Sequence, residues 1–273
     1  MTNKPSYGAN SLTTSIDPAS NAAVLNAVTV VSQQELLADL RSHMERGDGF
    51  SVATMNLDHI VKLREDPKFR QAYSAQTHVT ADGRPIVWLC RLAGRNIELV
   101  TGSDLVEPLV SLCADANVPI GLFGSTPEAL NIASDRLKAR FAGLKIECCL
   151  SPPMGFEPDG AAARSMVQEL AASGARVIFL ALGAPKQEVF AASARTDRPD
   201  LGFVSVGAGI DFVAGTQIRA PRLVRRLALE WFWRLSTNPR RMLGRYARCV
   251  TILPGLTRSA LGMRKSAVEG KPR

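Results

Sequence analysis

Two polar clusters stand where the sequence ends a buried run, the place from which side chains of an α/β protein reach a ligand. Asp82-Gly83 follows Thr77-His-Val-Thr-Ala81, and Lys186-Gln187-Glu188 follow the apolar run Val177–Leu182 through the turn Gly183-Ala-Pro185. A carboxylate at Asp82 could take a proton as a general base, ligate a metal or cap the helix starting near Pro85, and spacing alone favours the cap. Gly83 permits backbone angles that other residues resist. Thr54-Met-Asn56 closes a third strand, with Thr54 and Asn56 on one face because strand side chains alternate. Two such side chains aimed into a strand-end crevice suit a sugar or a pyrophosphate, with ordinary capping by Asn56 the equal alternative. Gly121-Leu-Phe123-Gly124 and Val206-Gly207-Ala-Gly209-Ile-Asp211 are further strand-end turns open to a nucleotide phosphate or base, and neither is a G-x-G-x-x-G fingerprint. His43, His59 and His78 assemble into neither a zinc spacing nor a Ser-His-Asp arrangement, and His78 reads as structural.

The elements that must position these residues alternate. Strands are predicted at Phe50–Met55, His78–Ala81, Ile97–Thr101, Val118–Phe123, Leu144–Leu150, Arg176–Leu182 and Leu201–Val206, with a short one at Val24–Val31. Helices are predicted from the capping box Ser32-Gln-Gln-Glu35 to Arg46, and over 58–75, 85–92, 105–116, 127–141, 161–172 and 186–194. Such alternation implies right-handed crossovers and a mostly parallel sheet flanked by helices, a Rossmann-like α/β fold. In open sheets of this kind ligands bind at the carboxyl edge, helped by free N–H groups of the following helices. The implied organisation is a flexible leader over 1–22, an α/β core over 23–215, a basic amphipathic helical appendage over 216–250 and a flexible basic tail over 251–273.

Charge separates the last two parts from the rest. Of 33 Lys and Arg, fourteen fall between Arg219 and Arg273 against only Glu230 and Glu269, a net +12, whereas residues 1–218 carry a net −4. An anionic partner for this segment is implied: membrane, nucleic acid or phosphorylated substrate. Nine arginines lie within 219–248, on helix-like apolar spacing through Leu223, Leu227, Trp231 and Leu235. Arg in preference to Lys suits bidentate phosphate binding, and Trp and Phe suit a lipid interface. Five cysteines without metal-type pairing, a polar start and no apolar run near the ~18 residues of a spanning helix lead to the expectation of a reduced, cytoplasmic chain.

Together these blocks resemble the WecG/TagA/CpsF group, glycosyltransferase family 26. The residues that carry the resemblance are Thr54-x-Asn56, Asp82-Gly83, Gly102-Ser-Asp104-Leu, Phe123-Gly124, Gly183-Ala-Pro-Lys-Gln-Glu188, Val206-Gly-x-Gly-x-Asp-Phe212, Arg219-Ala-Pro221 and Glu230-Trp-x-x-Arg-Leu235 with Asn-Pro-Arg240, in that order over about 24–248. The resemblance implies an inverting transfer of sugar from a UDP donor to a polyprenyl-diphosphate-linked saccharide at the cytoplasmic membrane face, and the absence of a D-x-D motif leads to the expectation of transfer without a metal. It implies Asp82 as general base with Thr54 and Asn56 beside it and Gln187 binding substrate. Gly83, Asp104, Phe123, Gly124, Gly183, Lys186, Glu188, Gly207 and Asp211 complete the implied substrate site. Arg219, Arg234, Arg240, Arg241 and Arg245 are implied to face the lipid diphosphate and an anionic membrane surface. One departure stands out: many members carry Glu-Arg-Val before the Thr-Gly, and this chain has Glu98-Leu99-Val100. Arg84, Arg91 or Arg95 could supply the missing cation, or the donor sugar differs. The alternatives are a nucleic-acid-binding protein, with Trp231 and Trp233 as stacking surfaces, and a nucleotide-sugar hydrolase or epimerase. Under the transferase reading no nucleic-acid partner is expected, and a homo-oligomer is compatible with it.

Overall fold

The computed structural model describes residues 20–221, 224, 230–237 and 239–269, without the side chains of Glu230, Trp231, Arg234, Thr237, Arg241, Val268 and Glu269. Residues 1–19 of the leader expected over 1–22 and the apolar positions Leu223 and Leu227 lie outside the described residues, and the leader's last residues are not flexible but cap and begin the first helix. In chain order the elements are α1 (Asn21–Asn26), α2 (Gln33–Arg46), β1 (Phe50–Met55), α3 (Leu57–Glu65), α4 (Pro67–Ser74), β2 (His78–Ala81), α5 (Arg84–Leu92), α6 (Gly102–Asp115) and β3 (Ile120–Gly124). They continue with α7 (Pro127–Arg140), β4 (Ile146–Leu150), α8 (Ala161–Ala172), β5 (Val177–Ala181), α9 (Lys186–Asp197), β6 (Gly202–Ser205), α10 (Gly209–Ala214), α11 (Glu230–Thr237) and α12 (Pro239–Glu269).

Among the described residues one sheet runs in the order β2-β1-β6-β5-β3-β4, and every pairing in it is parallel. A parallel sheet needs both faces covered, and β5 shows how its apolar run meets that need. Val177, Phe179 and Ala181 face the core built with α2, α6, α7 and α10, while Ile178 and Leu180 face the core built with α8 and α9. Adjacent strands β1 and β6 send their following helices to opposite faces: α3 packs with α4, which packs with α9, whereas α10 packs with α6 and α7. The chain therefore parts above the carboxyl ends of these two strands, the position where open α/β sheets form a ligand crevice.

Four sequence expectations change. The predicted strand Val24–Val31 is split: Ser20 Oγ accepts from Ala23 N and starts α1, and only Thr29 and Val30 run beside β2, both donating to Val79 O. Ile97–Thr101 is extended but forms no ladder, because its donors are divided between Val31 O and Ala81 O. The single helix expected over 58–75 breaks at Asp66-Pro67, where Asp66 closes α3 and caps α4 by accepting from Lys68 N and Phe69 N. Finally, the tail expected to be flexible from 251 is helical to Glu269. Cys249, Ile252, Leu256 and Ala260, spaced as one helical stripe, are buried in a core shared with α1, α3 and α5. The tail is thus part of the body of the protein.

Candidate active site

The crevice at the carboxyl edge has a volume of about 580 Å³. Asn56 after β1, Asp82 after β2, Ala181 to Ala184 after β5 and Val206 to Ala208 after β6 form its floor, and α6 adds Thr101, Gly102 and Ser103. Trp233, Met242 and Arg245 of α11 and α12 close one side. Gly102 is required where it stands, since a Cβ there would lie 3.0 Å from Ser205 O and 3.1 Å from Val206 Cα. The start of α6 can approach β6 only without a side chain.

Asp82 leaves β2 with its backbone N–H bonded to Met55 O at 2.8 Å, and Thr54 Oγ1 donates to its carboxylate Oδ2 at 3.4 Å. The N-cap of α5 is Gly83, at φ 108°. The carboxylate one residue earlier is therefore turned toward the crevice, beside Thr54, instead of occupying the cap. Asn56 does cap its helix, as its Oδ1 accepts from His59 N at 3.1 Å, and it also lines the crevice.

Beneath them lies a buried polar network. His59 Nδ1 sits 2.6 Å from Thr54 O, and the Tyr73 hydroxyl also donates to that carbonyl. Since a carbonyl only accepts, this network assigns the proton to Nδ1 and leaves Nε2 to accept from Asn56 Nδ2 at 3.5 Å. Burial lowers the His59 pKa from 6.5 to about 4, so the ring is neutral when it lines the crevice. Tyr73 is pushed the other way by burial and by the carboxylates of Glu188 and Asp82 nearby.

Gln187 spans the crevice floor. Its Oε1 accepts from Gly207 N at 3.2 Å and its Nε2 donates to Glu188 Oε1 at 2.8 Å, tying the β5 turn to the β6 turn. Glu188 is fully buried and does not line the crevice; burial lifts its pKa to about 7. Asp211 lines the crevice while its Oδ1 accepts from Ser125 Oγ and its Oδ2 from Gln217 Nε2 at 2.9 Å.

Positive charge enters from α3 and α12. Lys62 Nζ donates to Ala184 O at 3.0 Å and lies 3.0 Å from Asp58 Oδ2; Arg245 Nε lies 2.9 Å from Asp58 Oδ1. Burial alone would raise the Asp58 pKa, but Arg245 and Lys62 outweigh it and hold the carboxyl below its ordinary value. Asp58 thereby ties the C-terminal arginine to the core.

Of the residues singled out in the sequence, the crevice gathers Asn56, Asp82, Gly183, Gln187, Gly207, Asp211 and Arg245, with Thr54 directly behind Asp82. It does not gather the others. Phe123 is buried and stacks on Phe190 at 4.6 Å, and a Cβ on Gly124 would meet Ala181 O at 2.6 Å, so both serve strand packing. Lys186 is exposed outside the crevice. Asp104 Oδ2 accepts from Thr101 Oγ1 at 2.8 Å and its Oδ1 pairs with Arg219 at 2.6 Å, away from the crevice lining. Arg240 is exposed, and the side chains of Arg234 and Arg241 lie outside the described atoms. His59, Lys62, Thr101 and Ser103 line the crevice without having been singled out. A helical count from Asn56 would have found the first two at i+3 and i+6.

A sequence profile described as the Glycosyl transferase WecG/TagA/CpsF family matches residues 23–266. The chain belongs to the WecG/TagA/CpsF glycosyltransferase family. At the level of class this sets the glycosyltransferase apart from the nucleic-acid-binding and hydrolase or epimerase alternatives, and its work is in cell-surface polymer synthesis. No helix among the described residues is long and apolar enough to cross a membrane.

Proposed function

We propose that this glycosyltransferase moves a sugar from UDP to a polyprenyl-diphosphate-linked saccharide with inversion, using Asp82 as general base. The observation that carries the reading is the Asp82 carboxylate, turned into the crevice at the end of β2 and held by Thr54, with Gly83 taking the cap position. In this mechanism Asp82 takes the acceptor hydroxyl's proton as that oxygen bonds to the anomeric carbon. The bond from that carbon to the diphosphate breaks, and UDP leaves with the electron pair on the opposite face. Lys62, Arg245 and the backbone N–H groups at the starts of α6 and α10 offer positive charge to the departing diphosphate. With these cations present and no D-x-D pair in the sequence, we assign transfer without a metal. Neutral His59, Asn56 and Gln187 offer hydrogen bonds to sugar hydroxyls.

Arg95 is committed elsewhere: it donates to Leu25 O at 2.8 Å and to Val28 O. If another arginine compensates for Leu99, Arg84 and Arg91 are the remaining choices, both exposed. The lipid-linked acceptor places the protein at the inner face of the cell membrane, docked by α11 and α12. Phe232, Leu243 and Val250 are exposed there among Arg240 and Arg248, the composition of an interfacial surface.

Asp82→Asn tests the base. It should lower kcat by about 10²- to 10⁴-fold with donor affinity retained, the usual loss for a general base. Near wild-type turnover in an assay of a UDP-sugar panel with a polyprenyl-diphosphate acceptor would remove Asp82 from the role.

A further inference from the structure

Asp39, His43 and His78 gather at the opposite edge of the sheet from the crevice. Asp39 and His43 stand one turn apart on α2, and His78 opens β2, the edge strand whose other end delivers Asp82. One carboxylate oxygen and one nitrogen from each ring all lie within 4.8 Å of one another. His78 Nε2 is 2.7 Å and His43 Nε2 3.9 Å from the same atom, Asp39 Oδ2. The two imidazoles meet edge to face with centroids 5.8 Å apart.

The hydrogen bonds behind His78 orient its ring. Thr77 Oγ1 donates to Ser51 O at 2.8 Å and accepts from Ser51 N at 2.8 Å. Its single hydrogen is thereby engaged, so toward His78 Nδ1, 2.8 Å away, the hydroxyl acts as acceptor. Nδ1 then carries the proton, and in neutral His78 the Nε2 lone pair points at Asp39. A lone pair facing a carboxylate is repulsive unless a proton or a metal cation joins them. An oxygen accepting from the far nitrogen, as the Thr77 hydroxyl does here, supports a metal-ligating histidine in the way a carboxylate, backbone carbonyl or water usually does. His43 Nδ1 is buried with no hydrogen-bond partner among the described residues, and Arg46, the nearest cation on α2, is paired with Asp48 at 2.7 Å.

We propose that Asp39, His43 and His78 bind one divalent transition-metal ion of the zinc type, joining α2 to the start of β2. Two imidazoles and a carboxylate suit zinc, cobalt or nickel better than magnesium or calcium, which take all-oxygen shells. Bonds of ~2.0–2.2 Å in a tetrahedron set ligand atoms about 3.4 Å apart. The 2.7 Å contact must open and the 3.9 Å contact close by under ~1 Å each, which the largely exposed Asp39 side chain allows, and the two imidazole nitrogens, within 4.8 Å of one another, must close by up to ~1.4 Å through rotation of the rings. His78 and Asp82 are four residues apart along β2, about 13 Å, so the ion would brace the strand that carries the proposed base without touching the crevice.

The full chain, freed of metal with a chelator, is titrated with zinc chloride by calorimetry and with cobalt chloride by visible absorption. One ion per chain should bind, cobalt should show tetrahedral d–d bands, and zinc should raise the thermal midpoint. Thr77→Val should weaken binding by about 10- to 100-fold, the range for losing a ligand's supporting hydrogen bond, and Asp39→Asn or His78→Gln should weaken it by at least that much. Asp39 is exposed, so Asp39→Asn retains the fold, which circular dichroism checks. Absence of saturable zinc uptake by the wild type overturns the proposal. Uptake unchanged in Asp39→Asn and His78→Gln overturns it equally.

Discussion

Replacing Glu188 by Gln isolates the cost of burying a carboxyl beneath the crevice. Glu188 is fully buried, its Oε1 accepts from Gln187, and burial lifts its pKa from 4.5 to about 7. Below pH 4.5 the group is protonated in folded and unfolded chains alike and does not affect the balance. Between pH 4.5 and about 7 the unfolded chain releases the proton while the folded chain keeps it, so stability falls as pH rises. At ~1.4 kcal/mol per pH unit the loss reaches about 3 kcal/mol and then levels off. His59 works in the opposite sense. Burial lowers its pKa from 6.5 to about 4, so over that interval only the unfolded chain takes up a proton, and stability falls as pH drops. The two slopes oppose each other in the wild type, and Glu188→Gln leaves that of His59 exposed. Urea denaturation across pH 4.5 to 8 should show the stability difference moving in favour of Glu188→Gln by about 3 kcal/mol as pH rises, taking wild type as reference at each pH. A difference constant across this range would show that Glu188 is ionised throughout and refute the reasoning.

Leu256→Ala should cost about 2–5 kcal/mol in urea melts, because the side chain is fully buried where α12 meets α1, α3 and α5; a change under ~0.5 kcal/mol would return residues 251–269 to the status of a tail. Asp58→Ala removes the shared partner of Lys62 and Arg245 and should cost about 1–3 kcal/mol while lowering kcat/KM for the UDP-sugar, measured in the transfer assay. Membrane docking is best tested by charge, since removing 219–273 would strip the core of Cys249, Ile252 and Leu256. Arg240→Glu with Arg248→Glu should weaken flotation with anionic liposomes by at least about 1 kcal/mol per site, and unchanged flotation at low salt would place the docking surface elsewhere.

The alternation of strands and helices was legible because β1, β3, β5 and β6 are covered on both faces and therefore read as short apolar runs. What escaped was set by partners distant in sequence. Thr29 and Val30 share one acceptor on β2, and the donors of 97–101 are divided between two segments, so neither stretch completes a ladder although both have strand composition. Cys249 to Ala260 reads as the end of a basic segment until α1, α3 and α5 supply the surface it covers. In the site, the strand-end residues Asn56, Asp82, Gln187 and Gly207 were legible because the carboxyl end of a strand projects the next few residues into the crevice. Asp104 stands outside the lining for a local reason: its carboxylate turns back to Thr101 and out to Arg219, so Thr101 and Ser103 face the crevice from the same motif. His59 was passed over because a lone histidine at a helix start has no partner visible in sequence, whereas Thr54 O and Tyr73 hold it in place.

The C-terminal helix joins stability and chemistry in one element. Arg245 precedes Cys249 by one helical turn, so burial of Cys249, Ile252 and Leu256 fixes where the guanidinium stands. Asp58 holds it from the other side, and Asp58 sits two residues after the strand-end Asn56. The positive wall of the crevice is thus placed relative to β1 by a buried apolar stripe and one carboxylate. A hinged appendage swinging freely over the site would need that stripe exposed to water, at a cost of about 1.5–3 kcal/mol for each large apolar side chain uncovered. Motion in this part of the molecule is therefore cheapest in α11 and the start of α12, before the stripe begins. That segment carries Trp233 and Met242 on the crevice side and exposed Phe232 and Leu243, so under the proposed function the acceptor would meet the adaptable part of the wall while Arg245 stays fixed beneath it.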